Sequence, residues 1–140
     1  MNIPGAGNRS IRLLLVDVQP AVQRGLKMRF ALEPDLEVVG EAGSVAEAIS
    51  LARALHPDVV LIDIEMQGMN GILAIAALRQ VAPHSAVVIF TLYDDAALRE
   101  RARKVGAAAL VAKHQTEEAL LAAIRRAATV HGVQDRRSGA

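Results

Sequence analysis

Cysteine is absent from this 140-residue chain, which excludes a disulfide framework and any thiolate metal site. That usage fits a cytoplasmic setting, where disulfides are rare. Tryptophan is absent too, and the aromatic residues are Phe30, Phe90 and Tyr93 alone. The core must therefore be built from Val, Ile, Leu and Ala. Charge of one sign is also lacking: 16 basic against 15 acidic residues leave a net charge of +1. Such a balance offers no global attraction to nucleic acid or to an anionic membrane. No apolar run reaches transmembrane length. Met1 to Ser10 lacks the basic and apolar regions of a secretory signal, and residues 1–10 read as a flexible leader. His56, His84, His114 and His131 lack metal-ligand spacing and read as surface residues.

What is present is a strict alternation of two periodicities, the mark of βαβ units and a parallel sheet. Ile11 to Asp17 is a short apolar run stopped by an acid. Pro20 then stands where a helix starts, a position at which its missing N–H costs nothing. Val22, Leu26 and Phe30 share one face of that helix, and Pro34 ends it. Leu36 to Gly40 is the second strand. Ser44 and Glu47 form a capping-box pattern ahead of a stripe of Ala48, Leu51, Ala52 and Leu55. Asp58 to Asp63 is the third strand, and Asn70 can cap a helix from Gly71 to Val81. Ser85 to Thr91 is the fourth strand. Asp94 or Asp95 caps a helix that stops near Gly106. Ala108 to Lys113 is the fifth strand, and Thr116 caps a last helix with a stripe of Leu120, Leu121, Ile124 and Ala128. Gly132 is expected to close that helix, leaving a disordered tail over 131–140. The reading is one folded unit over 11–130, of α/β class, with five strands and five helices and no output domain in this chain.

Four of the five strands end in a chemically useful residue: Asp17, Asp63, Thr91 and Lys113. Open α/β sheets bind ligands outside the carboxyl ends of their strands, where the strand order reverses. In the common order 2-1-3-4-5, strands one and three flank that point. Two carboxylates, a hydroxyl and an ammonium would then meet in one cleft, a set suited to phosphoryl transfer onto a carboxylate. Mg²⁺ is the natural cation for such a set, since it takes one or two carboxylates plus waters and phosphate oxygens.

Leu14-Leu-Val-Asp17, Pro57-Asp-Val-Val-Leu-Ile-Asp63 with its continuation to Gly71, Phe90-Thr91 and Val105-Gly to Lys113 resemble the receiver domains of two-component response regulators. The resemblance covers Ile11 to about Ala128. It is nearest to the branch that usually carries a C-terminal helix-turn-helix. It implies a flavodoxin-like (βα)5 three-layer sandwich with a parallel sheet of order 2-1-3-4-5. It also implies a phospho-accepting Asp63, an acidic metal position at Asp17, a further metal ligand in the Glu65 backbone carbonyl, and switch and phosphate-binding roles for Thr91 and Lys113. The partners implied are a histidine kinase or phosphotransfer protein and, for the switched surface, another protein or a second copy. Such a domain is a signalling switch rather than an enzyme in its own right.

The sequence departs from the family pattern in places. Val18 follows Asp17 where a second acid usually touches the metal, so weakened Mg²⁺ binding is expected. The site then carries one negative charge fewer, which lessens the need for a cation. Leu110 stands where an inward-swinging aromatic is usual. Leu92 follows Thr91 where a small residue is common, and Gln67 and His114 replace frequent prolines. Val18 and Leu110 support an alternative: a pseudo-receiver that binds partners and no longer cycles phosphate. A small aspartate-nucleophile phosphohydrolase is disfavoured, because Gln19 occupies the place of its second acid. Direct DNA binding by this chain lacks a basic surface and a reading helix. Arg99, Arg101, Arg103 and Lys104 read either as the wet face of the fourth helix or as a surface for an acidic partner.

Overall fold

The computed structural model describes residues 10–17, 19–64, 71–92 and 95–139, with side chains to 130. Strands and helices alternate in the order β1 (Ile11–Val16), α1 (Pro20–Phe30), β2 (Leu36–Ala42), α2 (Val45–Leu55) and β3 (Val59–Ile62). The series continues with α3 (Gly71–Val81), β4 (Ala86–Thr91), α4 (Ala96–Lys104), β5 (Ala109–Ala112) and α5 (Glu117–Gly139). The five strands form one sheet of order β2-β1-β3-β4-β5, and every pairing is parallel. The expected class and strand order are both met.

Side-chain alternation along each strand divides the core in two. Leu14 and Val16 of β1 face one layer with Val60 and Ile62, beneath Ala48, Ala52, Ile75 and Leu78 of α2 and α3. Leu13 and Leu15 face the other with Leu61 and Val88, beneath Phe30 of α1 and Leu120, Leu121 and Ile124 of α5. Helices on both faces explain why β1, β3 and β4 are almost uniformly apolar and buried. Each such Leu, Ile or Phe side chain contributes about 1.5–3 kcal/mol on burial.

Local signals account for most element ends. Ser44 Oγ accepts from Glu47 N at 3.2 Å, as the capping-box pattern predicts, while Glu47 Oε1 accepts from Gly43 N at 2.8 Å. Of the two acids offered for α4, Asp95 is the cap, accepting from Leu98 N at 2.7 Å; Asp94 lies outside the described residues, as does Asn70. Thr116 Oγ1 accepts from Ala119 N at 3.1 Å, and Gly106 takes its expected positive φ of 96°.

Two elements run past the ends read from the sequence, and a third is closed from a distance. Strand β2 runs to Ala42 rather than Gly40, because β1 continues far enough to pair with it. Helix α2 ends in a left-handed His56, φ 50°, and Arg12 of β1 donates to the exposed carbonyls of Leu55 at 2.6 Å and His56 at 2.9 Å. Helix α5 runs through Gly132 to Gly139. A glycine inside a helix costs only about 1 kcal/mol, so Gly132 is not the stop that the sequence suggests.

Candidate functional site

The sheet ladder does not stop at the strand ends, and its continuation places the site. Asp63 N donates to Val16 O at 3.0 Å, Asp17 N to Ala42 O at 3.0 Å and Lys113 N to Thr91 O at 2.6 Å. Each residue is thereby tied to the neighbouring strand. The β1–β3 register, Val16 opposite Ile62, sets Asp17 directly beside Asp63. Asp17 and Asp63 are buried, and Thr91 has no exposed surface.

Lys113 Nζ lies 2.7 Å from Asp63 Oδ2 and 3.8 Å from Asp17 Oδ2. Its ammonium also sits 5.6 Å from the centre of the Phe90 ring. Buried charges persist only when paired, and here one cation faces two carboxylates. The imbalance shows in Asp17. Burial pushes its pKa above the ordinary aspartate value, and the negative charge of Asp63 pushes the same way. The Gln19 N–H, donating to Asp17 Oδ1 at 2.8 Å, and the Lys113 charge oppose that rise. A buried carboxylate short of positive charge is the environment in which a divalent cation gains most. Two carboxylates also meet the usual protein share of a Mg²⁺ site. No group of three or more His, Asp or Glu side chains is placed for a metal among the described residues. Glu65, the expected carbonyl ligand, lies outside them.

Thus Asp17, Asp63, Thr91 and Lys113 are brought together at the carboxyl end of the sheet. Leu92 is exposed rather than packed. Leu110 is half-buried against the core layer under α2 and α3. The cluster Arg99, Arg101, Arg103 and Lys104 is solvent-exposed, as are His56, His84 and His114. Gln67 and His131 fall outside the described side chains.

Two supporting roles escape the sequence reading. Gln23 Nε2 donates to Asp17 O at 2.6 Å and to Ala42 O at 2.8 Å, clamping the ends of β1 and β2 to α1. It neighbours the Val22–Leu26–Phe30 stripe, so periodicity assigns it to solvent. Gly71 opens α3 against the residue after Asp63: a Cβ there would lie 2.3 Å from Ile64 Cβ and 2.6 Å from its carbonyl oxygen. Only glycine allows that approach.

Residues 13–125 match the family described as the response regulator receiver domain. The chain belongs to that family. This receiver is 35% identical over 116 residues to the nitrate/nitrite response regulator protein NarL of Escherichia coli, covering 83% of this chain and 54% of that protein. It is 37% identical over 117 residues to NarP of the same organism, covering 84% and 54%. The receiver thus spans about half the length of these relatives. Among solved structures, the signal receiver domain of the response regulator NarL from Mycobacterium tuberculosis superposes with a TM-score of 0.79 at 31% identity, over 86% of this chain and 98% of that one. The resemblance read from the motifs is therefore correct, and the chain is a receiver of two-component signalling. No helix among the described residues is long and apolar enough to cross a membrane.

Proposed function

We propose that this receiver, the unit over residues 11–130, takes a phosphoryl group on Asp63 from a histidine kinase or phosphotransfer protein. The observation that carries the reading is the Lys113 ammonium at 2.7 Å from Asp63 Oδ2, with Asp17 alongside. An Asp63 oxygen attacks phosphorus, a P–O bond forms, and the P–N bond of the donor phosphohistidine breaks. The donor imidazole leaves with the bonding electron pair and takes up a proton. Lys113 and the Thr91 hydroxyl bind the transferred oxygens. Asp17, Asp63 and the Glu65 carbonyl would hold Mg²⁺, whose bound charge offsets that of the phosphoryl group. The added negative charge then biases a two-state equilibrium that alters affinity for a partner or a second copy. The setting is the cytoplasm, and neither DNA nor membrane is bound by this unit.

A second reading has its own support. The Val18 side chain carries no oxygen, and Asp17 with Asp63 are the acids read at the site besides Glu65. A pseudo-receiver that binds a partner without cycling phosphate would keep the fold and this charge set. Intact mass after incubation with acetyl phosphate and Mg²⁺ separates the two. A single phosphoryl adduct on the wild type, absent from Asp63→Asn, is the expected result. No adduct at high Mg²⁺, together with spectra unmoved by beryllofluoride, sinks the phospho-acceptor reading in favour of the pseudo-receiver.

A further inference from the structure

Between α1 and α5, on the face of the sheet opposite α2 and α3, lies a cleft of about 340 Å³. That volume falls within the range of small-molecule sites, about 300–1,000 Å³. Its lining is largely apolar, with Val22, Leu26, Phe90, Leu120 and Leu121, and Lys113 also lines it. Gly25 lines the same cleft in the middle of α1. Glycine destabilises a helix interior relative to alanine. A Cβ on Gly25 would meet nothing within 4 Å, and its φ is not in the left-handed region. Neither packing nor backbone geometry asks for glycine there. Its effect is to leave the helix wall flat and the cleft wide.

At the mouth, Arg29 reaches across from α1 to α5. Its Nε lies 3.0 Å from Glu117 Oε1, and its Nη1 lies 2.7 Å from Glu33 Oε2. The Glu117 side chain is 66% exposed, and an ion pair so exposed holds weakly. An incoming anion can take the place of Glu117 on the guanidinium at little cost. Glu33 continues to orient Arg29 from the other side.

We propose that this cleft is a binding site for a small amphipathic anion: a ring-bearing apolar body against the apolar lining, with one carboxylate or sulfonate on Arg29. Any occupant lies against the side chain whose ammonium holds Asp63, but occupancy itself does not depend on Asp63 being phosphorylated.

The probe is 8-anilinonaphthalene-1-sulfonate, titrated by fluorescence into the folded full chain. The expected result is saturable binding at one site. Gly25→Leu, whose side chain fills the cleft, weakens that binding at least about tenfold. Gly25→Ala weakens it less while raising the melting temperature, so lost binding is not lost folding. Glu117→Gln, which frees Arg29, tightens binding. Asp63→Asn leaves the affinity unchanged, which keeps this site separate from the phospho-acceptor reading. Equal affinity in wild type and both Gly25 variants overturns the proposal, as does non-saturating fluorescence. Affinity that falls as protein concentration rises, with a dimer in light scattering, overturns it as well: the cleft is then covered by a second copy.

Discussion

The two ends of this sheet use the same residue types to opposite ends. Where strands begin, the acids and hydroxyls are held by hydrogen bonds with backbone and guanidinium groups. Asp58 Oδ2 accepts from Arg12 N at 2.8 Å, Ser85 Oγ donates to the Pro57 carbonyl at 2.6 Å, and Asp35 takes two hydrogen bonds from Arg125 at 2.8 and 2.9 Å. Where strands finish, Asp17 and Asp63 are buried together and share one ammonium. The contrast is sharpest between two aspartates. The Arg125 guanidinium holds Asp35 below its ordinary pKa, whereas burial and the nearby Asp63 hold Asp17 above it. By linkage, ionised Asp35 favours the folded state at neutral pH and ionised Asp17 opposes it. One end is arranged for stability, and the other holds two buried carboxylates beside the Lys113 ammonium, with Asp17 ionised at a cost to the folded state.

The largest effect should come from removing the Lys113 cation at the crowded end. Lys113→Met keeps an apolar side chain of similar length and takes the ammonium from two buried carboxylates. Breaking a buried pair in this way costs about 3–5 kcal/mol, read as a lower urea midpoint at neutral pH. Acetyl phosphate labelling of Asp63 should slow about a hundredfold, the scale for losing one preorganised donor. Because Lys113 lowers the Asp17 pKa, its loss raises that pKa further. A raised folded pKa means stability that is present at low pH and lost as pH rises. The deficit of the variant should therefore shrink on acidification. A deficit that stays constant with pH would remove the charge imbalance from the explanation.

A smaller effect of opposite sign is expected at Asp17. Asp17→Asn removes a buried charge held at a raised pKa, so the variant gains stability at neutral pH. The gain vanishes as pH falls below the unfolded aspartate value of about 3.9, where both states of the wild type are protonated. Labelling should demand more Mg²⁺ at the same time. Calorimetric melts across pH and a Mg²⁺ titration of labelling check the two halves. A variant less stable than wild type at neutral pH would mean that the Gln19 hydrogen bond outweighs burial at this position.

The carboxyl end was the more legible of the two in the sequence. Asp17, Asp63, Thr91 and Lys113 each close an apolar run, and a parallel sheet gathers run ends by construction. Helix caps at Ser44, Asp95 and Thr116 were legible because capping is local chemistry. Residues that act across long sequence distances were not. Gln23 serves two strand carbonyls, Arg12 closes helix α2 from β1, and Arg125 joins α5 to the turn before β2. Nothing in the periodicity of a polar surface residue says which distant carbonyl or carboxylate it will meet. Gly25 and Gly71 look alike in sequence, yet a Cβ at one meets open space and at the other meets Ile64.

The smallest effect is expected at the end where strands begin. Arg125 pairs with Glu33 Oε1 at 2.7 Å and with Asp35 Oδ2 at 2.8 Å, and its side chain is 40% exposed. Solvent and salt screen such pairs, so Arg125→Ala should lower the melting temperature by no more than about 4 °C. Arg125 depresses the pKa of Asp35 and adds to the depression of Glu33 that Arg29 chiefly causes. A depressed folded pKa contributes stability that is present above the unfolded value and lost as pH falls through the folded one. Wild type and variant should therefore converge in acid and in high salt, with the wild type the more stable at neutral pH, where at Asp17 it is the less stable. Labelling of Asp63 should be untouched, because Arg125 supports the start of β2 and not the site. If Arg125→Ala slowed labelling as strongly as it lowered stability, the two ends would be coupled, and the division of labour between them would have to be abandoned.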